Sequence, residues 1–318
     1  MVDKGVNVNG DDYNGYYEKP LIIACEKQNE SSINTLIENG ADVNVEYMNQ
    51  NLCCTRLIIA CEKENESMIK YLVEHGANIN TQCNQFDGYC TPLTISCGKE
   101  KESIIKYLVE NGGNVNILCN KSNGFCTPLS IVCEKQNESL MKYLIEYDAN
   151  VNVVIFRICN ICTPLNIACE KQKETMVKYL VEYGANVNFE WNNDEIGYDK
   201  KTIDLFRYKR NMIICTPLTT ACEKENEPII KYFIEHGANV NFENNYHRIL
   251  YGVNCSCTPL SISYEKENES IIKYLIEHGA NVNIELKYDY NNINREFDSI
   301  KTPLSIACEK RNESMINF

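Results

Sequence analysis

Thr258–Asn283, TPLSISYEKENESIIKYLIEHGANVN, is one copy of a unit that recurs along the whole chain. Its opening tripeptide returns as Thr91-Pro92-Leu93, Thr127-Pro128-Leu129, Thr163-Pro164-Leu165, Thr216-Pro217-Leu218 and Thr302-Pro303-Leu304. Two degenerate forms come first, Lys19-Pro20-Leu21 and Thr55-Arg56-Leu57. The prolines, with Arg56 in place of one, are spaced by 36, 36, 36, 36, 53, 42 and 44 residues. A closing block such as Glu74-His75-Gly76-Ala77-Asn78-Ile79-Asn80 follows each complete copy at constant distance. Only the stretch from that block to the next Thr-Pro-Leu changes length, which describes a rigid module with one tolerant loop.

Within a module the local chemistry predicts two short helices. Thr is a favoured N-cap, and Pro suits the first helical position because its missing N–H costs nothing there. The first helix, for instance Pro217 to Glu223, is expected to bury Leu218, Ala221 and Cys222. Asn268 is placed to cap a second helix with an acid in its first turn, favourable at the positive end of the helix dipole. Ile271, Tyr274 and Leu275 recur at i, i+3 and i+4 as its apolar face, and Gly279 ends it as a C′ glycine. Helices of two to three turns cannot bury their faces alone, so copies must stack on one another as an all-α solenoid of helix-turn-helix repeats.

Composition narrows the function. The 318 residues would make two domains by length alone, at about 150 each, but that prior assumes globular packing. Lys and Arg number 31 against 44 Asp and Glu, a net charge of −13, which disfavours a partner held by its phosphate backbone. A hydrophobic content of 44% is that of a folded chain. No apolar stretch approaches the ~20 residues that span a bilayer. Met1-Val2-Asp3-Lys4-Gly5 has no basic segment leading into an apolar one, so no signal peptide is read. A cytoplasmic protein is expected, with the nucleus also open.

The chain resembles the ankyrin repeat family. The matching parts are Thr-Pro-Leu followed by an Ala position (Ala168, Ala221, Ala307), the paired helices, and the ending Gly40-Ala41-Asp42-Val43-Asn44. The resemblance covers essentially residues 1–318. Residues 1–16 read as the tail of a preceding repeat, repeats start near 17, 53, 89, 125, 161, 214 and 256, and 300–318 is a truncated last one. The resemblance implies a β-turn or hairpin finger between modules, and the period of 36, against about 33 for the family, implies three added residues in each regular finger. The family's usual His after Thr-Pro-Leu is replaced by Thr94, Ser130, Asn166, Thr219, Ser261 and Ser305, whose side chains reach less far. Its usual Gly between the helices is Gln28, Glu64, Glu100, Gln136, Gln172, Glu225, Glu267 or Arg311. A turn needing positive φ would strain each copy, unless the turn geometry differs.

Lys4-Gly5-Val6-Asn7-Val8-Asn9 reads as the end of a module whose helices are absent, and Ser314–Phe318 stops inside a second helix. A piece of a longer array is the expectation, a naturally frayed end the alternative.

Catalytic signatures are missing: there is no phosphate-binding Gly-rich loop, no His-Glu-x-x-His and no nucleophile elbow. Glu62, Glu134 and Glu170 repeat as a solvated helical face. His75, His236 and His278 share one repeat position with Asn39, Asn111, Tyr147 and Tyr183, near a helix C-terminus where a cation is favourable. His247, in an inserted loop, is the one histidine outside that pattern. No catalytic residue, metal or cofactor is expected.

Cysteine, at 18 residues, falls into three groups. Cys25, Cys61, Cys97, Cys133, Cys169, Cys222 and Cys308 occupy the first helix, where Tyr264 stands in one copy, and core packing is their expected role. Cys54, Cys90, Cys126, Cys162, Cys215 and Cys257 immediately precede Thr-Pro-Leu or its variant; Cys53, Cys83, Cys119, Cys159 and Cys255 remain. Equivalent residues of stacked modules should lie roughly 10 Å apart, too far for a disulfide. Within one finger, Cys83 with Cys90 and Cys119 with Cys126 are placed to oppose across a hairpin. Cys159-x-x-Cys162 has half a zinc-ribbon spacing without a second pair. The Asn-Glu-Ser triplets at Asn29, Asn65, Asn137, Asn268 and Asn312 match a glycosylation pattern but are explained by cap chemistry.

What remains is recognition. The last three variable segments exceed the regular finger by 17, 6 and 8 residues. The first holds Trp191, Tyr198, Phe206, Arg207, Tyr208, Lys209 and Arg210; the second Tyr246, His247, Arg248 and Tyr251; the third Tyr288, Tyr290, Arg295 and Phe297. Aromatic and Arg side chains dominate binding hot spots, and stacking would place these fingers side by side. AT-rich codon usage is the competing explanation, since loop insertions are thermodynamically cheap. Acids in the same loop (Glu190, Asp194, Glu195, Asp199, Asp204) offset the basic run at 207–210, so nucleic acid is not expected. The reading is a non-catalytic scaffold or adaptor, monomeric, binding protein partners with a basic patch through its fingers and concave helix face, and not a membrane. The alternative is the recognition segment of a larger enzyme, such as a ubiquitin ligase or kinase, whose catalytic domain lies outside these residues; a third reading is metal or thiol-redox sensing, which requires stoichiometric zinc or a reversible change in thiol count.

Overall fold

The computed structural model describes residues 8–9, 20–27, 29–49, 52–85, 88–121, 124–157, 160–189, 213–248, 253–289 and 299–310. The chain forms two compact units, Met1–Ala149 and Asn150–Phe318.

The first unit repeats a helix pair and a hairpin. It contains α1 (Pro20–Glu26), α2 (Glu30–Glu38), β1 (Tyr47–Asn49), β2 (Leu52–Cys54), α3 (Arg56–Glu62), α4 (Glu66–Glu74), β3 (Cys83–Gln85) and β4 (Gly88–Cys90). It continues with α5 (Pro92–Lys99), α6 (Glu102–Glu110), β5 (Cys119–Lys121), β6 (Gly124–Cys126), α7 (Pro128–Lys135) and α8 (Glu138–Glu146). First helices pack in series, α3 against α1 and α5, and α5 against α7. They are therefore covered on opposite sides, and Leu93, Thr94, Ser96 and Cys97 of α5 are all buried.

The residues that replace histidine explain how these helices start. Thr91 Oγ1 accepts the Thr94 N–H at 3.2 Å while Thr91 N–H donates to Thr94 Oγ1 at 2.9 Å. Thr127 and Ser130 repeat the arrangement at 3.2 and 2.8 Å. A short hydroxyl at the third helical position thus closes a capping box and satisfies two otherwise orphan donors. The second helices α2, α4 and α8 are capped by Asn, with Asn65 Oδ1 accepting from Met68 N–H and Asn137 Oδ1 from Leu140 N–H, whereas α6 follows Lys101 without a side-chain cap.

Thr55-Arg56-Leu57 departs from this scheme. The third helical residue there is Ile58, which has no hydroxyl to offer, and the Thr55 side chain makes no cap bond. Arg56 is 1% exposed, and its Nη1 donates to the carbonyls of Asp42 at 3.0 Å and Val45 at 2.7 Å. The guanidinium ties the start of α3 to the loop before its own finger.

The inter-helix turns settle the question left by the missing glycines. Glu64, Glu100 and Gln136 adopt φ of 57°, 56° and 61°, as do Gln172, Glu225 and Glu267 in the second unit at 56°, 54° and 60°. In these six copies the turn keeps its left-handed geometry and L-residues carry the strain; Gln28 and Arg311 lie outside the described residues. Asp148, at φ 63°, likewise stands where Gly40, Gly76 and Gly112 end the other second helices.

The final Asn of each module has a long reach. Asn80 Nδ2 donates to Gly112 O at 3.0 Å and Asn80 Oδ1 accepts from Asn114 N–H at 2.7 Å. Asn44 makes the same pair with Gly76 and Asn78, at 3.0 and 2.7 Å. Asn80→Asp keeps the acceptor and removes the donor, and is expected to lower stability by about 1 kcal/mol; Asn80→Ala, which removes both, by about 2 kcal/mol. Urea unfolding measures both, and equal losses from the two variants would mean that the donor bond contributes everything.

The second unit contains β7 (Ile155–Phe156), β8 (Asn160–Cys162), α9 (Pro164–Glu170), α10 (Glu174–Glu182), β9 (Ile213–Ile214), α11 (Pro217–Glu223) and α12 (Glu227–Glu235). It ends with β10 (Asn244–Arg248), β11 (Val253–Cys257), α13 (Pro259–Lys266), α14 (Glu269–Glu277), β12 (Leu286–Asp289), β13 (Ser299–Lys301) and α15 (Pro303–Lys310). Leu218, Ala221 and Cys222 are buried as expected, and Asn268 caps α14. Gly279 has φ 87°, the C′ conformation. The buried stripe of α14 differs from expectation: Ile271, Ile272 and Leu275 are buried, whereas the Tyr274 ring lies half-exposed, 4.1 Å from that of His278. The aliphatic Ile272 and Leu275 take the core positions beside it.

Candidate partner-binding surface

Hairpin fingers lie between successive modules, and within each unit neighbouring fingers pair into sheets. In the first unit the three fingers form one six-stranded antiparallel sheet in the order β1-β2-β3-β4-β5-β6. Cys83 faces Cys90 and Cys119 faces Cys126, as the spacing within each hairpin predicted. In the second unit β10-β11-β12-β13 make a four-stranded sheet from two consecutive fingers, and β7-β8-β9 a three-stranded one in which β8 and β9 run parallel.

This topology places three of the expected partner-binding residues. Tyr246 on β10 pairs with Cys255 on β11, which pairs with Tyr288 on β12, so the two tyrosines share one register row across neighbouring fingers. Arg248 ends β10 opposite Val253, and His247 pairs with Asn254. Trp191, Tyr198, Phe206, Arg207, Tyr208, Lys209, Arg210, Tyr251, Tyr290, Arg295 and Phe297 lie outside the described residues.

The second helices expose a periodic polar-aromatic face. Tyr107 and Tyr143 hydroxyls donate to Lys70 O and Lys106 O of the preceding repeat, each at 3.4 Å. Within the second unit Tyr232 OH meets Lys178 O at 3.5 Å. Tyr71 stacks on His75 at 4.1 Å, and His75 Nδ1 lies 2.7 Å from Tyr71 O. His236 and His278 repeat that placement. The histidines are thus held at helix C-termini by local geometry. The i, i+4 recurrence of Tyr with His or Tyr is the sequence signal for this face, and it is hidden because Tyr274 also fits the apolar period of its helix.

Chemistry along the first helices is quiet. Burial pushes the Cys61 and Cys222 thiols up to about 12, and Cys97, Cys133 and Cys169 are also raised by burial. Such thiols stay protonated and are poor nucleophiles at neutral pH. Among the described residues no group of three or more His, Cys, Asp or Glu side chains is disposed to hold a metal ion. None of the described helices is long and apolar enough to cross a membrane.

Stacked helix pairs with laterally paired fingers define an all-α repeat solenoid built to present surface. The family model for ankyrin repeats matches residues 46–119, 114–190 and 198–286, and the chain belongs to that family. Among solved structures it is similar to the human ASB11 ankyrin repeat domain, at 22% identity and a TM-score of 0.52, over 83% of this chain and 99% of that one. No curated protein matches the sequence. Ankyrin repeats are generally non-catalytic modules for protein–protein interaction.

Proposed function

We propose that this chain is a non-catalytic scaffold or adaptor that binds protein partners through its fingers and the adjoining first-helix face. The observation that carries the reading is the lateral pairing of consecutive fingers into sheets within each unit. Residues of neighbouring fingers are held at fixed spacing before any partner arrives, so little conformational entropy is lost on docking. The inserted aromatic and Arg residues, from Trp191 to Phe297, supply the residue types that dominate hot spots. The net charge of −13 favours a partner with a basic patch. The protein works as a monomer in the cytoplasm on this reading.

Affinity capture with the full chain, then with Trp191→Ala, Arg207→Ala and the double variant Tyr246→Ala/Tyr288→Ala, tests it. Truncating a hot spot costs about 2 kcal/mol, roughly a 30-fold loss of affinity. Undiminished recovery of the same partner by all of these variants would remove the fingers from the binding surface.

A further inference from the structure

The register of the first unit's sheet lines up five cysteines. Cys53 pairs with Asn84 between β2 and β3, so the next pair in that antiparallel register is Cys54 with Cys83. Cys83 faces Cys90 within its hairpin. Gly88 pairs with Lys121 between β4 and β5, which sets Cys90 against Cys119, and Cys119 faces Cys126. Cys54, Cys83, Cys90, Cys119 and Cys126 therefore form a row that crosses five strands. Residues in such a row share one face of the sheet. Facing residues on antiparallel strands have Cα atoms about 4.5–5.5 Å apart, within the range a disulfide spans.

The ends of the row are accessible and its middle is not. Cys54 and Cys126 are partly exposed, whereas Cys83, Cys90 and Cys119 are buried. Cys83 is hydrogen-bonded to Cys54, which holds the Cys54 thiol below its ordinary value and pushes Cys83 up. Further along the row the Cys119 sulfur lies 3.6 Å from Thr94 Oγ1. A solvent-reachable thiol with a buried thiol beside it is the arrangement of an oxidisable cysteine and its resolving partner.

We propose that Cys54 is a peroxide-sensitive thiol resolved by Cys83, so that oxidation joins two neighbouring fingers by a reversible disulfide. The Cys54 thiolate attacks one oxygen of hydrogen peroxide. The O–O bond breaks, hydroxide leaves and takes up the proton Cys54 lost, and the sulfur, oxidised by two electrons, becomes a sulfenic acid. Cys83 sulfur then attacks Cys54 sulfur; the S–S bond forms, the S–O bond breaks, and the Cys83 proton departs with the hydroxyl as water. Two thiols and one peroxide give one disulfide and two waters. A dithiol reductant reverses the link. The inference concerns the first unit's sheet alone and stands whether or not the fingers bind a partner.

The test exposes the full chain to hydrogen peroxide at about one equivalent, blocks remaining thiols with N-ethylmaleimide in denaturant, and maps peptides by mass spectrometry. The expected product is a peptide pair linked through Cys54 and Cys83 that disappears on treatment with dithiothreitol, with Cys61, Cys97, Cys133 and Cys169 fully alkylated. In Cys83→Ser the Cys54 sulfenic acid has no resolving thiol and accumulates as a dimedone adduct. A Cys54 that remains alkylatable, or a link through Cys90 or Cys119 in its place, overturns the proposal. If Cys83→Ser fails to fold, the wild-type peptide map alone decides.

Discussion

Arg56→Ala is expected to destabilise the first unit by about 3 kcal/mol, because two carbonyls lose a buried donor and a cavity the size of the guanidinium opens. Asp42 O and Val45 O both accept from one Nη1, at 3.0 and 2.7 Å, and the side chain is 1% exposed. Arg56→Lys does not rescue the loss, since a compact ammonium on a flexible stem does not reproduce a planar fork. Arg56→Pro restores the tripeptide of the other modules and recovers only the preference of Pro for a first helical position. Urea unfolding followed by circular dichroism measures the series. A loss below about 1 kcal/mol for Arg56→Ala would show that the buried guanidinium contributes no more than an ordinary hydrogen bond.

Glycine substitution at the left-handed positions is expected to do the opposite. An L-residue there costs roughly 1–2 kcal/mol, which glycine avoids, although glycine's greater freedom in the unfolded chain returns part of the gain. Gln136→Gly and Asp148→Gly, at φ 61° and 63°, together should stabilise the first unit by about 2 kcal/mol, seen as a raised urea midpoint. Glu64→Gly should gain less, because Glu64 also pairs with Lys101 at 2.9 Å and Lys99 at 3.6 Å of the following repeat. An unchanged or lowered midpoint for the glycine pair would mean that these turns are not strained. The six non-glycine turns mark a fold retained at some cost in stability, as expected where packing between neighbours outweighs local preference.

Much of this architecture was readable before any coordinates. Thr-Pro-Leu at fixed spacing announces a capped helix and Asn268 a second cap, because both signals depend only on residues three or four positions away. The oppositions of Cys83 with Cys90 and of Cys119 with Cys126 were legible for the same reason, being set inside one hairpin. Contacts between modules were harder. The expected separation of equivalent cysteines concealed Cys54 against Cys83, because the residues that meet there are inequivalent, the last of one finger and the first of the next. Arg56 read as a degenerate proline, since nothing local announces that a cation will be buried. Tyr274 fits an apolar period, yet it lies half-buried with its ring against that of His278 while Ile272 takes the core position. Of the candidate binding residues, Tyr246 and Tyr288 acquire a common row only through strand pairing. No periodicity argument reaches that far.

The asparagines that close each module have a consequence for how this chain can change over generations. Asn152 Oδ1 accepts from Asn186 N–H, 34 positions on, at 2.8 Å; Asn188 Oδ1 accepts from Asn239 N–H, 51 positions on, at 2.7 Å. The fastener closes identically although the second connection carries 17 more residues, so it is indifferent to whatever it bypasses. Each such junction is a port where new sequence can be spliced in while the spine keeps its pitch. Diversification can then proceed at the tips without renegotiating the core.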